Sequence, residues 1–96
     1  PYPPPAAIPL SAATLAACAG LYRSARIGDI TVVVEGDHLR LTAGDFVVTL
    51  YPESTTRFFA QERDLRFEFE TGAGATPSAM AVYENGALTE RAVRAR

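Results

Sequence analysis

The run Leu65-Arg66-Phe67-Glu68-Phe69-Glu70 alternates apolar and charged residues without a fault. Successive side chains of an extended chain point to opposite faces, so Leu65, Phe67 and Phe69 share one side and three charges share the other. A strand with one dry face and one wet face belongs to an antiparallel sheet. A parallel sheet is covered on both faces and would need a continuous apolar run.

The rest of the chain repeats the message at short, regular intervals. Leu21-Tyr22-Arg23 opens the first strand, and Ile27-Gly28-Asp29 reads as a loop. Ile30 to Glu35 is rich in β-branched residues, with Ile30, Val32 and Val34 on one face. Gly36-Asp37 suits a tight hairpin turn, and His38 to Thr42 then alternates with Leu39 and Leu41 inward. After the turn Ala43-Gly44-Asp45 comes Phe46 to Tyr51, closed by Pro52, which has no amide to give a ladder. Arg57 to Ala60 is a short strand, and Gln61 to Asp64 is a polar turn leading into Leu65 to Glu70. Gly72 to Pro77 is a flexible turn, Ala79 to Glu84 a further strand, and Asn85-Gly86 the best hairpin signal in the chain before Ala87 to Val93. Ahead of all these strands, Ser11 to Cys18 predicts one short helix. Ser11 is its N-cap, Leu15 and Cys18 its apolar stripe, and Gly20 its stop. The expected fold is all-β. It is an antiparallel meander of about eight short strands in a small, lipocalin-like barrel or a strongly curved sheet, with the N-terminal helix over one open end.

Ninety-six residues make one domain. Residues 1–10, with five prolines, read as an extended linker, and residues 11–96 as the single globular unit. The net charge of −2 includes no basic cluster, which argues against nucleic acid as a partner. The three arginines at 91, 94 and 96 read as a solvated edge that resists strand addition. No apolar run approaches the length of a membrane span, and the proline-rich start lacks the basic and apolar regions of a secretory signal. Cys18 is the one cysteine, so no intrachain disulfide forms and the compartment stays open.

No catalytic constellation emerges. His38 is the single histidine and follows a hairpin turn on the face opposite Leu39 and Leu41. With one His and one Cys in separate elements, a zinc site lacks ligands. Glu35, Asp37 and Asp45 lack the alternate spacing of a calcium loop and read as turn residues. Gly72-Ala73-Gly74 is no phosphate loop. Glu68 and Glu70 are two apart on one polar strand face, a spacing that permits a carboxylate pair without requiring one. No metal and no cofactor is expected. The aromatic residues read as core. A Phe-lined cavity of roughly 300 Å³ or more would instead indicate a barrel that binds a small apolar ligand.

One set of motifs resembles a known family. Leu15-Ala16-Ala17-Cys18 is followed by Gly20-Leu21-Tyr22, then Tyr51-Pro52-Glu53-Ser54, Phe58-Phe59, Phe67-Glu68-Phe69 and Asn85-Gly86. Their order and spacing resemble a domain of unassigned function at the C-terminus of serine hydrolases related to class C β-lactamases and D-aminopeptidases. Cys18 departs from the pattern, standing where an aromatic residue is usual. The resemblance spans about Leu15 to Val93 and implies a bacterial, non-catalytic accessory domain that packs on a hydrolase domain in the same chain. Such a domain would shape the hydrolase's cleft or its oligomeric state. The Ser-x-x-Lys nucleophile motif of those hydrolases cannot reside here, because all nine basic residues are arginine. Tyr83-Glu84-Asn85 spells their Tyr-x-Asn without a nucleophile to serve. Tyr22, Tyr51, Phe58, Phe59 and Tyr83 are the candidates for a docking surface or pocket. Adjacent Phe58 and Phe59 are expected to send one ring inward and one outward.

Overall fold

In the computed structural model, residues 2–96 are described. The helix α1 (Ala12–Cys18) precedes eight strands: β1 (Gly20–Ser24), β2 (Gly28–Glu35), β3 (His38–Ala43), β4 (Phe46–Pro52), β5 (Arg57–Phe59), β6 (Leu65–Thr71), β7 (Pro77–Glu84) and β8 (Ala87–Arg94). Each strand pairs antiparallel with the next, and β8 returns to β1, so the sheet is a closed barrel and not an open curved sheet. Closure leaves no free strand edge. The interior of an eight-stranded barrel is just wide enough for side chains to fill. Here it is filled by Tyr22, Ile30, Val32, Leu39, Leu41, Leu50, Phe58, Phe67, Phe69 and Met80, all at most 3% exposed. The alternation of β6 is realised as read, with Leu65, Phe67 and Phe69 buried and the residues between them half-exposed.

The turn chemistry is also realised. Asn85 and Gly86 both take positive φ, at 51° and 85°, as a tight β7–β8 hairpin demands. Ser11 caps α1 by accepting the Thr14 amide at 3.1 Å. Four turns (β1–β2, β3–β4, β5–β6 and β7–β8) gather at one end of the barrel, here called the mouth. The opposite end is covered by α1, whose Leu15 and Cys18 join the core.

The seam is where the sequence reading needs correction. β8 and β1 share only the register pairs Tyr22↔Arg94 and Arg23↔Val93. Leu21 extends the seam by donating to the Arg96 carbonyl (2.8 Å) and accepting from the Ala95 amide (2.7 Å). Arg94 is not a solvated edge residue. Its guanidinium donates to the carbonyls of Pro77 (2.6 Å), Ala17 (2.8 Å) and Ala19 (3.1 Å) and to the Tyr22 hydroxyl (2.8 Å). The Tyr22 hydroxyl in turn donates to the Cys18 carbonyl at 2.8 Å, and the Ala19 amide serves Ala16. Every carbonyl from Ala16 to Ala19 therefore has a partner, in a helix with no basic residue in its own last turn. A cation at a helix C-terminus is favourable for the further reason that it opposes the helix dipole. Arg91 lies outside the seam and grips Glu70 with two nitrogens, at 2.7 to 3.2 Å.

Gly20 does not end the helix either. The chain is already extended at Ala19, and Gly20 begins β1 with φ of 148°. A Cβ at this position would overlap Arg94 Nη1 and lie 2.7 Å from the Arg96 carbonyl oxygen. Glycine is required here because the seam passes so close.

Two substitutions test this joint. Arg94→Ala is expected to lower unfolding stability by about 2–4 kcal/mol in urea titrations, because it strands several carbonyls that a charged donor now serves. Arg94→Lys should recover little of it, since an ammonium offers three donors from one nitrogen where the guanidinium spreads its donors over three nitrogens to reach four acceptors. Gly20→Ala should cost about 2 kcal/mol or more, from positive-φ strain and the clash together.

Candidate functional site

At the mouth the barrel interior opens. Ile30, Leu41, Leu65, Phe67 and Met80 form the floor of a cavity of about 140 Å³, walled by Ile27, Phe46 and Val82. Phe46 has inward parity, with Val48 and Leu50 below it, but as the first residue of β4 it stands above the last full core layer and stays 38% exposed. Ile27 occupies the β1–β2 turn and is 43% exposed. Val47 and Leu88 point outward within two residues of mouth-end turns and are 57% and 58% exposed. Four of the seven large exposed hydrophobic residues thus ring this end, a clustering that marks interaction surfaces.

Four charges line the same mouth: Arg26, Arg63, Glu84 and Glu90. Glu90 accepts from the Ser24 hydroxyl at 3.1 Å and faces Arg26 at 3.4 Å. The Arg63 guanidinium lies 5.5 Å from the Phe46 ring centroid. Sequence reading had placed Phe46 in the core and Arg63 in a plain polar turn. The available signal was that each directly borders a turn at the same end of the meander.

Of the five candidate residues, three are buried and cannot form a surface. Tyr22 is 0% exposed beneath Arg94, and Phe58 is 0% exposed with its ring edge-on to Phe69 at 5.5 Å. The expectation for Phe59 fails for a different reason. Its ring does point away from the core, between the neighbouring strand residues Tyr51 and Arg66, yet it is only 1% exposed. Residues 2–10 run across this outer face and do not project as a spacer. The Ile8 amide donates to the Pro52 carbonyl at 2.9 Å, the Tyr2 hydroxyl to the Ala60 carbonyl at 3.2 Å, and Leu10 packs on the core. Tyr51 remains half-exposed, 6.0 Å from the Phe59 ring and 5.2 Å from His38. Tyr83 is half-exposed too, under the Arg57 guanidinium at 5.3 Å.

The outer face of β5 and β6 is a polar lattice. Arg66 donates to Glu53 (2.8 Å), Asp64 (2.9 Å) and the Tyr2 hydroxyl (2.8 Å). Glu68 accepts from Thr56 (2.5 Å) and Arg57 (3.2 Å), while Glu70 is held by Arg91. Each carboxylate therefore has its own donors. Arg91 keeps the Glu70 carboxyl below its ordinary pKa, the opposite of what a general acid needs. Glu35 and Asp37 engage Arg40 and His38 at the α1 end, whereas Asp45 sits in a mouth-end turn, so the three do not converge. A second depression, of about 190 Å³, lies between α1 and the β6–β7 side; its walls are alanines, threonines, Phe69, Cys18 and Pro77, with no charge.

Among known proteins, the chain matches the family described as a domain of unknown function (DUF3471) over residues 4–94. No curated protein and no solved structure matches it.

The buried polar groups under Arg94 set an alkaline limit. Burial raises the Cys18 thiol to about 11 and the Tyr22 phenol to about 12, with the nearby Arg94 charge pulling both back in part. Both groups hold their protons more tightly folded than unfolded. The stability this gives is intact below pH 9, declines once the unfolded groups ionise, and is lost as pH passes the folded values. Thermal melting is expected to fall steadily between pH 9 and 12, and Cys18→Ala with Tyr22→Phe should flatten that decline. For the same reason Cys18 should resist alkylation at pH 8 in the folded chain.

Proposed function

Because the chain belongs to this family of domains of unknown function, we propose that it is a non-catalytic accessory domain of a serine hydrolase related to class C β-lactamases. It docks on the catalytic domain through the mouth end of the barrel. The observation that carries this reading is the pair of exposed Ile27 and Phe46 at the mouth, with Val47 and Leu88 exposed on the outer wall near the same end, since a non-obligate interface gathers apolar and aromatic side chains at its centre. The motif order from Leu15 to Val93 supports the hydrolase connection, and a chain without lysine is consistent with an accessory role, since it cannot itself carry a Ser-x-x-Lys nucleophile motif.

The course of residues 2–10 supports the same end. Tyr2 is fastened by its hydroxyl to Ala60, which opens the mouth-end β5–β6 turn. A catalytic domain joined through this strap would stand on the mouth side, with Arg63, Arg26 and Glu84 as the polar rim of the contact. The outer face around Tyr51 and Phe59, by contrast, is already occupied by the strap.

Binding of the chain to the catalytic domain of its parent protein, followed by calorimetry, tests the reading. Ile27→Glu with Phe46→Glu should weaken binding by about tenfold or more, because it buries charge in an apolar contact. Val34→Glu, at the opposite end, should leave binding unchanged. A parent gene without a Ser-x-x-Lys domain beside this one would overturn the proposal. So would a rim that mediates only self-association, seen as a dimer of the isolated chain that the double variant abolishes.

A further inference from the structure

We propose that the mouth cavity is a binding site for a free amino acid with an aromatic or large branched aliphatic side chain. The cavity fixes the size of the apolar part. At about 140 Å³ it is close to the roughly 150 Å³ apolar void that accepts one benzene molecule, and well below a drug-sized pocket. Its floor of Leu41, Leu65, Phe67 and Met80 offers no hydrogen-bonding side chain, so the group that enters it is a hydrocarbon.

The rim fixes the polar part. Arg26 and Glu90 satisfy one another, and Ser24 holds Glu90 as well. Arg63 and Glu84 are left over: among the described residues neither has an ion-pair partner. They also share one sector of the rim, since Leu65, two residues after Arg63, is the register partner of Glu84. One free cation and one free anion above a ring-sized apolar hole match a zwitterion, with its carboxylate on Arg63 and its ammonium on Glu84. A simple organic acid would meet the Glu84 charge, and a simple amine would meet Arg63. The Phe46 ring beneath the guanidinium holds it over the opening. Every group involved lies in this chain, on the same rim that a docked catalytic domain would cover, so ligand binding is tested on the chain alone.

The test is titration of the isotope-labelled chain with phenylalanine, followed by two-dimensional amide NMR. Saturable shifts are expected at Ile27, Phe46 and Val82, with none at Val34. Phenylacetate and phenethylamine should each bind about two- to fivefold more weakly, the range of one exposed ion pair. Glycine should produce no saturable shift at the mouth. Arg63→Gln should weaken phenylalanine by that same factor without weakening phenethylamine, and Glu84→Gln should do so without weakening phenylacetate. Both variants alter side chains outside the core, and the dispersion of their spectra checks that the barrel is intact. Shifts that fail to saturate at the mouth, or phenylalanine binding no tighter than its two half-analogues, would overturn the inference while leaving the docking result untouched.

Discussion

One guanidinium joins the helix, the first strand and the start of β7 to the last strand. Arg94 ends the last strand, sits opposite Tyr22 in the first, donates to the carbonyls of Ala17 and Ala19 at the helix end, and holds the start of β7 through Pro77. A barrel of short strands closes only if its first and last strands meet, and here that meeting is two register pairs long. Hydrogen bonds from a charged donor into a half-buried site exceed ordinary ladder bonds in strength, so a short seam can hold. The demand on Gly20 follows directly, because only a residue without a side chain lets this joint come so close.

The joint also makes the two ends of the barrel unequal. At one end the helix is fastened down and Leu15 and Cys18 complete the core. At the other, among the described residues, nothing equivalent covers the layer above Phe67 and Met80, and the interior opens between Ile27 and Phe46. An eight-stranded barrel has little interior to spare, so the mouth is a small cavity of about 140 Å³ and not a deep calyx. Reactivity is confined by the same packing. The buried thiol is held in its protonated form, and the acidic residues of β6 are matched to arginine or threonine donors.

Much of the architecture was legible in the residues. The fault-free alternation of β6, the β-branched run of β2, the Asn85-Gly86 turn and the Ser11 cap each carry a local physical signal, and each is realised. The site was less legible. Parity assigned Phe58 inward and Phe59 outward correctly, but parity does not say whether an outward ring meets water. The strap from Tyr2 to Leu10 covers that face through three hydrogen bonds, with Pro52, Ala60 and Arg66, partners about 45 to 65 positions away. A proline-rich segment signals its extended shape in its composition and says nothing of the surface it will lie on. Phe46 and Arg63 escaped notice as site residues because their role depends on which turns share an end once the sheet has closed.

What the sequence determined by itself is the period: where the chain is extended, where it turns, and which side of each strand is apolar. These are local properties, set by backbone sterics and by side-chain chemistry one to four residues apart. Only the tertiary structure decided that the sheet closes, that Arg94 belongs to the helix as much as to its strand, that Phe59 is covered, and that the open end is ringed by Ile27, Phe46, Val47 and Leu88. Each of these is a contact between residues far apart in the chain. Their energies depend on distances that no local pattern encodes, since they arise only when all eight strands have met.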